Sequence, residues 1–168
     1  MPSMRTNTVI YLLIMAICSG CYSFRGTSIP SDVNTFYVDQ AILRATNAPG
    51  DLPERLMEAL REKVRNQSSL KYNDVSPDIE FGMEISSFVQ ANEVESAENN
   101  TAALLKLTIS VRTDYTSNKN EEDNWTQTFS HTVNYDPSVD FQTAQDGLIA
   151  EAFEQITEQI FNKAFANW

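Results

Sequence analysis

The chain has 168 residues, a formal net charge of −11 and 42% hydrophobic residues, which fits one domain of ordinary size behind a short leader. With 23 acidic residues against 12 basic ones it is not a nucleic-acid binder, because that role depends on Lys and Arg neutralising phosphates. Downstream of the leader one His and one Cys remain, too few for ordinary zinc ligation, which takes about three or four such ligands.

The leader begins with one basic residue, Arg5, continues as an apolar run from Val9 to Ile17 and ends in Cys18-Ser19-Gly20-Cys21. Charged, apolar and small-residue regions in that order are the pattern of a secretory signal peptide. The apolar run is about half the ~20 residues a membrane-spanning helix needs. Small residues immediately before Cys21 make this site similar to a bacterial lipobox, in which the cysteine is lipidated, for example with palmitate, and becomes the first residue of the mature chain. Bulky Ile17 makes Cys18 the poorer candidate. A Cys18–Cys21 disulfide is the competing reading, but cleavage before Cys21 removes Cys18 and leaves a lone cysteine, for which lipidation supplies a role. Residues 1–20 are therefore expected to be a lipoprotein signal peptide, and residues 21–168 a single domain.

Residues 22 to 32 mix turn formers with isolated apolar residues and read as a tether. The β-branched and aromatic residues Thr35, Phe36, Tyr37 and Val38 predict a first strand within Val33–Ala45, ended by Asn47-Ala48-Pro49-Gly50. Asp51 with Glu54 three places on has the spacing of a capping box. Leu56, Met57, Leu60 and Val64 then predict a helix from about Leu52 to Gln67. Ile79, Phe81, Met83 and Ile85 alternate with polar residues as a half-buried strand does, and the slip at Ser86-Ser87-Phe88 predicts a bulge or a sheet edge.

An acidic loop is expected from Asn92 to Asn100. A third strand follows, with Leu105, Leu107, Ile109, Val111 and Tyr115 on one face and Lys106, Thr108, Ser110, Arg112 and Asp114 on the other. Thr116 to Asp123 reads as a hairpin connector. In the fourth strand Trp125, Phe129, Val133 and Tyr135 share a face with Gln127 and His131, until Pro137 ends the ladder. A long helix from Thr143 to Phe165 carries an apolar stripe of Ile149, Phe153, Ile156, Ile160 and Ala164, flanked by Phe161 and Phe165. The order β-α-β-β-β-α predicts an α+β (α/β) two-layer sandwich: a four-stranded, mostly antiparallel sheet with two helices on one face.

Nothing in this pattern supports catalysis, metal binding or a cofactor. His131 lies mid-strand among Thr and aromatic residues, where a packed histidine is the simpler account than a general base. Glu93, Glu95 and Glu98, with Glu121, Glu122 and Asp123, lack the spacing of a calcium loop and read as solvated loops. No nucleophile elbow or phosphate-binding glycine loop occurs.

Several segments together resemble the LptE family of lipopolysaccharide-assembly lipoproteins. They are Cys21-Tyr22-Ser23-Phe24-Arg25-Gly26 with Ser28-Ile29-Pro30, the strand Val33 to Val38, Leu107-Thr108-Ile109-Ser110-Val111, and the ending Ile160 to Trp168. The resemblance implies a non-enzymatic, lipid-anchored protein of the cell outer membrane. In that role it faces the periplasm and sits as plug and assembly factor inside the LptD-type β-barrel that inserts lipopolysaccharide. Lipopolysaccharide itself is a ligand in the family, through basic residues near strand ends, but Asn92–Asn100 holds no Lys or Arg and no binding residue is carried across. The partner-binding residues are left unassigned. The alternative from the residues alone is a periplasm-facing accessory lipoprotein of an inner-membrane transporter.

Overall fold

The computed structural model describes residues 29–97 and 100–166. Its elements run β1 (Thr35–Val38), β2 (Ile42–Leu43), α1 (Leu52–Gln67), β3 (Lys71–Tyr72), β4 (Ile79–Ala97), β5 (Asn100–Ser117), β6 (Trp125–Tyr135) and α2 (Phe141–Phe165), with a 3-10 turn at Glu121–Asp123. They form one mixed sheet in the order β3-β1-β4-β5-β6, with β2 also on β4. β1 runs parallel to β3 and β4, while β4, β5 and β6 are antiparallel. The α+β class is as expected, but among the described residues the sheet has six strands rather than four.

The expected first strand is split in two. Val38 pairs with Phe81 and Ile42 with Glu84, so this segment advances four residues while β4 advances three, and the surplus residue breaks the ladder. The two-residue β3 has too little pattern to be read from sequence. The slip at Ser86 is a bulge: Ile85 pairs with Val111 and Ser87 with Ser110, which returns Phe88 to the buried face opposite Ile109.

The expected acidic loop from Asn92 to Asn100 is a correction. The β4 and β5 backbones stay paired out to Ala97 and Asn100, well past Tyr135, where β6 ends opposite Leu105. A two-stranded ribbon satisfies its backbone across the pair whatever the polarity of its side chains, so composition misleads there.

Asp51 does not cap α1 as the capping-box spacing suggests. It has helical angles (φ −87°, ψ −7°) and makes no side-chain cap bond. Pro53 stands where an N-cap side chain often finds an N–H, and the Asp51 carboxylate turns to Arg55 instead, at 3.5 Å. The second helix starts two residues earlier than expected because Asp140 caps it, its carboxylate accepting from the Thr143 N–H at 3.2 Å.

Both helices lie on one face of the sheet. Leu52, Leu56, Leu60 and Val64 of α1 and Ile149, Phe153, Ile156, Ile160, Phe161 and Phe165 of α2 are buried with Phe36, Ile79, Phe81, Ile85, Leu107, Ile109 and Val111 of the strands. Ala164 is only partly buried, at the margin of the stripe. An aromatic chain closes one end of this core. Phe165 meets Phe81 at 6.2 Å, Phe81 meets Tyr115 at 5.3 Å, and Tyr115 stacks on Trp125 at 5.4 Å. Burial pushes the Tyr115 phenol up to about 12, with Asp123 adding to the shift.

Candidate functional site

The face of the sheet away from the helices is open and polar. The alternation that buries Leu107, Ile109 and Val111 turns Thr108, Ser110, Arg112 and Asp114 outward, and Thr126, Thr128, Ser130 and Thr132 stand beside them on β6. Side chains here pair across strands. Thr108 and Thr132 share a hydroxyl bond of 2.9 Å, and the Ser130 hydroxyl donates to that of Ser110 at 2.8 Å. Thr126 donates to the Asp114 carboxylate, and Ser86 to the Ser110 carbonyl at 3.2 Å. Hydroxyls already paired lose little when a polar neighbour covers them, since the cost of burying a polar group falls mainly on unbonded ones.

The helix layer has the opposite character. Exposed Glu54, Glu58 and Glu62 on α1 and Asp146, Glu151 and Glu154 on α2 give it a strongly acidic surface. Three pairs partly offset this charge: Arg55–Asp146 at 2.9 Å, Lys63–Glu158 at 2.6 Å, and Arg61 with Glu58. Lys63 beside Glu158 holds that carboxyl below its usual range. Between the helices lies an open groove of about 400 Å³, lined by Arg55, Ala59, Lys63, Phe153 and Thr157 among others. It has both charge signs and no convergent polar set that would orient a substrate.

A third cluster fixes the start of the sheet. One oxygen of Asp78 accepts the backbone N–H groups of Asn34 and Thr35 at 2.8 and 3.0 Å, and the other meets Lys119 at 2.9 Å. The Thr35 hydroxyl accepts the Asp78 N–H in return, at 2.9 Å. The Lys119 ammonium and these amides hold the Asp78 carboxyl far below the usual carboxylate range. This is a structural clip joining β1, the start of β4 and the β5–β6 turn.

His131 is half-buried on β6, paired in register with Ile109. Glu121, Glu122 and Asp123 form the exposed 3-10 turn, Glu93 and Glu95 lie on β4, and Glu98 is outside the described residues. Among the described residues no three His, Cys, Asp or Glu side chains are placed to share a metal ion, and no helix is long and apolar enough to cross a membrane. Cys21 and Trp168 also lie outside the described residues.

The sequence matches the model of the family described as LptE: Lipopolysaccharide-assembly over residues 33–164. The chain belongs to the LptE family. That is a lipopolysaccharide-assembly family and not an enzyme family. No curated protein matches the sequence. Among solved structures, a neuraminyllactose-binding hemagglutinin homolog from Helicobacter pylori is similar at 9% identity and TM-score 0.54, over 84% of this chain and 88% of that one. A hypothetical protein from Chlamydia trachomatis is similar at 12% identity and TM-score 0.50, over 80% and 99%. The rare lipoprotein B from Shewanella oneidensis is 18% identical with a TM-score of 0.48, over 74% and 92%. At these identities the first two likenesses speak to the fold alone.

The polar pairing of the open face is what sequence reading of this LptE-family chain left unassigned. Its signal was present as the Thr and Ser residues at alternate positions of the third and fourth strands. Their cross-strand register, which makes them one surface, was not.

Proposed function

We propose that this LptE-family protein is an outer-membrane lipoprotein, anchored through acylated Cys21 and facing the periplasm. It acts as plug and assembly factor inside an LptD-type β-barrel that inserts lipopolysaccharide. The observation that carries the reading is the open sheet face, whose hydroxyls are bonded to one another and which can therefore be covered by a polar wall at small cost. The interiors of outer-membrane barrels are polar in this way. Family membership supports the lipopolysaccharide pathway, and the lipobox-like Ser19-Gly20-Cys21 supports the anchor.

Affinity purification from detergent-solubilised outer membrane tests it. A large barrel protein should be recovered in near-equal amount with the lipoprotein. Recovery of the lipoprotein alone, under conditions that keep other outer-membrane complexes intact, or fractionation with the inner membrane, would overturn it.

A further inference from the structure

The two ends of the sheet are built differently. At one end stands β3, which is two residues long and begins with Lys71. At the other stands β6, with eleven residues in unbroken register with β5 from Trp125 to Tyr135. Proteins usually guard an exposed edge with charge, proline, a bulge or a very short strand, because its free N–H and C=O groups template another strand. The sequence Trp125-Thr-Gln-Thr-Phe-Ser-His-Thr-Val-Asn-Tyr135 has no proline and no Asp, Glu, Lys or Arg, although 21% of the chain is charged. Its ladder has no bulge. On its helix-covered side Trp125 and Tyr135 stay half-buried, so an added strand would find apolar side chains to continue beside.

We infer that β6 is a strand-addition site: an extended, non-acidic segment of the barrel partner pairs with it as a seventh strand. The inference rests on the barrel reading given above for its partner. A closed barrel has no edge of its own, so the segment comes from one of that partner's loops or a terminal stretch. A second copy is the poorer occupant. Edge-to-edge pairing would bring two molecules of formal charge −11 to about 4.8 Å strand spacing, and their mutual repulsion opposes that.

Amide hydrogen exchange of the purified complex, set against the isolated lipoprotein, tests the site. Alternate amides within Trp125–Tyr135 should slow by about tenfold or more in the complex, while the β3 edge does not change. Gln127→Pro and Thr128→Pro form a second measurement, since both side chains are exposed and adjacent residues of a strand turn their N–H groups to opposite sides. One substitution removes a bond to β5 and lowers Tm. The other should keep Tm and recover less than about a tenth of the barrel protein. A barrel recovered in full with unchanged β6 exchange, or with the Tm-neutral proline variant, overturns the strand-addition site and leaves the proposed function standing. No barrel recovered with the wild-type chain overturns both. Protection already present in the isolated protein, with a dimer's mass, overturns the choice of partner in favour of a second copy.

Discussion

Thr113 is fully buried on the helix-covered face of β5, and its Oγ1 has no hydrogen-bond partner. A buried hydroxyl without a partner costs about 1–3 kcal/mol in lost hydration. Thr113→Val should therefore stabilise the domain by about 1 kcal/mol and raise Tm by roughly 3 °C, measured by thermal unfolding. A fall in Tm would mean that the hydroxyl has a partner in solution. Asp78 makes the converse case. Its carboxyl is held below the ordinary range first by the Lys119 ammonium and then by the Asn34 and Thr35 amides. A carboxyl depressed in the folded state contributes stability above its ordinary titration range, and that contribution is lost as pH falls towards the folded value. Unfolding midpoints of wild type should thus drop from about pH 4 downward, and Asp78→Asn should flatten that limb. Identical acid limbs would show that the clip does not set the acid sensitivity.

At the scale of elements, α2 binds the layers together. Ile160 and Phe161 are buried, at 0% and 3% exposure, while Lys163 two positions on is exposed. Ile160→Ala should cost about 2–5 kcal/mol and Phe161→Ala about 3–5, through lost burial and the cavity left behind. Against a total stability of about 5–15 kcal/mol, either loss should lower the amount of folded protein in the envelope. Lys163→Ala should stay within about 0.5 kcal/mol. Denaturant unfolding measures all three, and equal effects at Phe161 and Lys163 would contradict the packing described. This stripe was legible in sequence because helical spacing alone puts Ile149, Phe153, Ile156 and Ile160 on one side. The helix begins two residues before Thr143 because Asp140 caps it, and apolar spacing alone carries no signal for that cap.

For the whole molecule, the anchor and the fold should be separable. Among the described residues the buried core begins at Val33, with Ile29 packed against it, and both lie downstream of Cys21. Cys21→Ala should therefore keep the far-UV spectrum and Tm of the domain while moving most of it from the membrane to the soluble periplasmic fraction. Complete retention in the membrane would assign the tether to the partner instead, because one or two acyl chains are then not what holds the protein there.

The sequence by itself determined the elements that bury a periodic face: both helices and the inward faces of the long strands; at Ser86 it showed the slip in alternation, and the β4–β5 register made that slip a bulge rather than a sheet edge. The sequence also determined the acidic balance and the lipobox-like Cys21, since these depend only on residue order. Tertiary structure alone decided what depends on register between distant segments. The break between Val38 and Ile42 exists because β4 is one residue shorter there, and the strand at Lys71–Tyr72 exists because β1 offers it an edge. The β4–β5 ribbon stays paired through residues too polar to announce a strand, because its hydrogen bonds belong to the backbone. In the same way Thr108, Ser110, Ser130 and Thr132 become one surface only when β5 and β6 align, because hydroxyls about twenty residues apart in sequence can bond only after the ladder has set their distance.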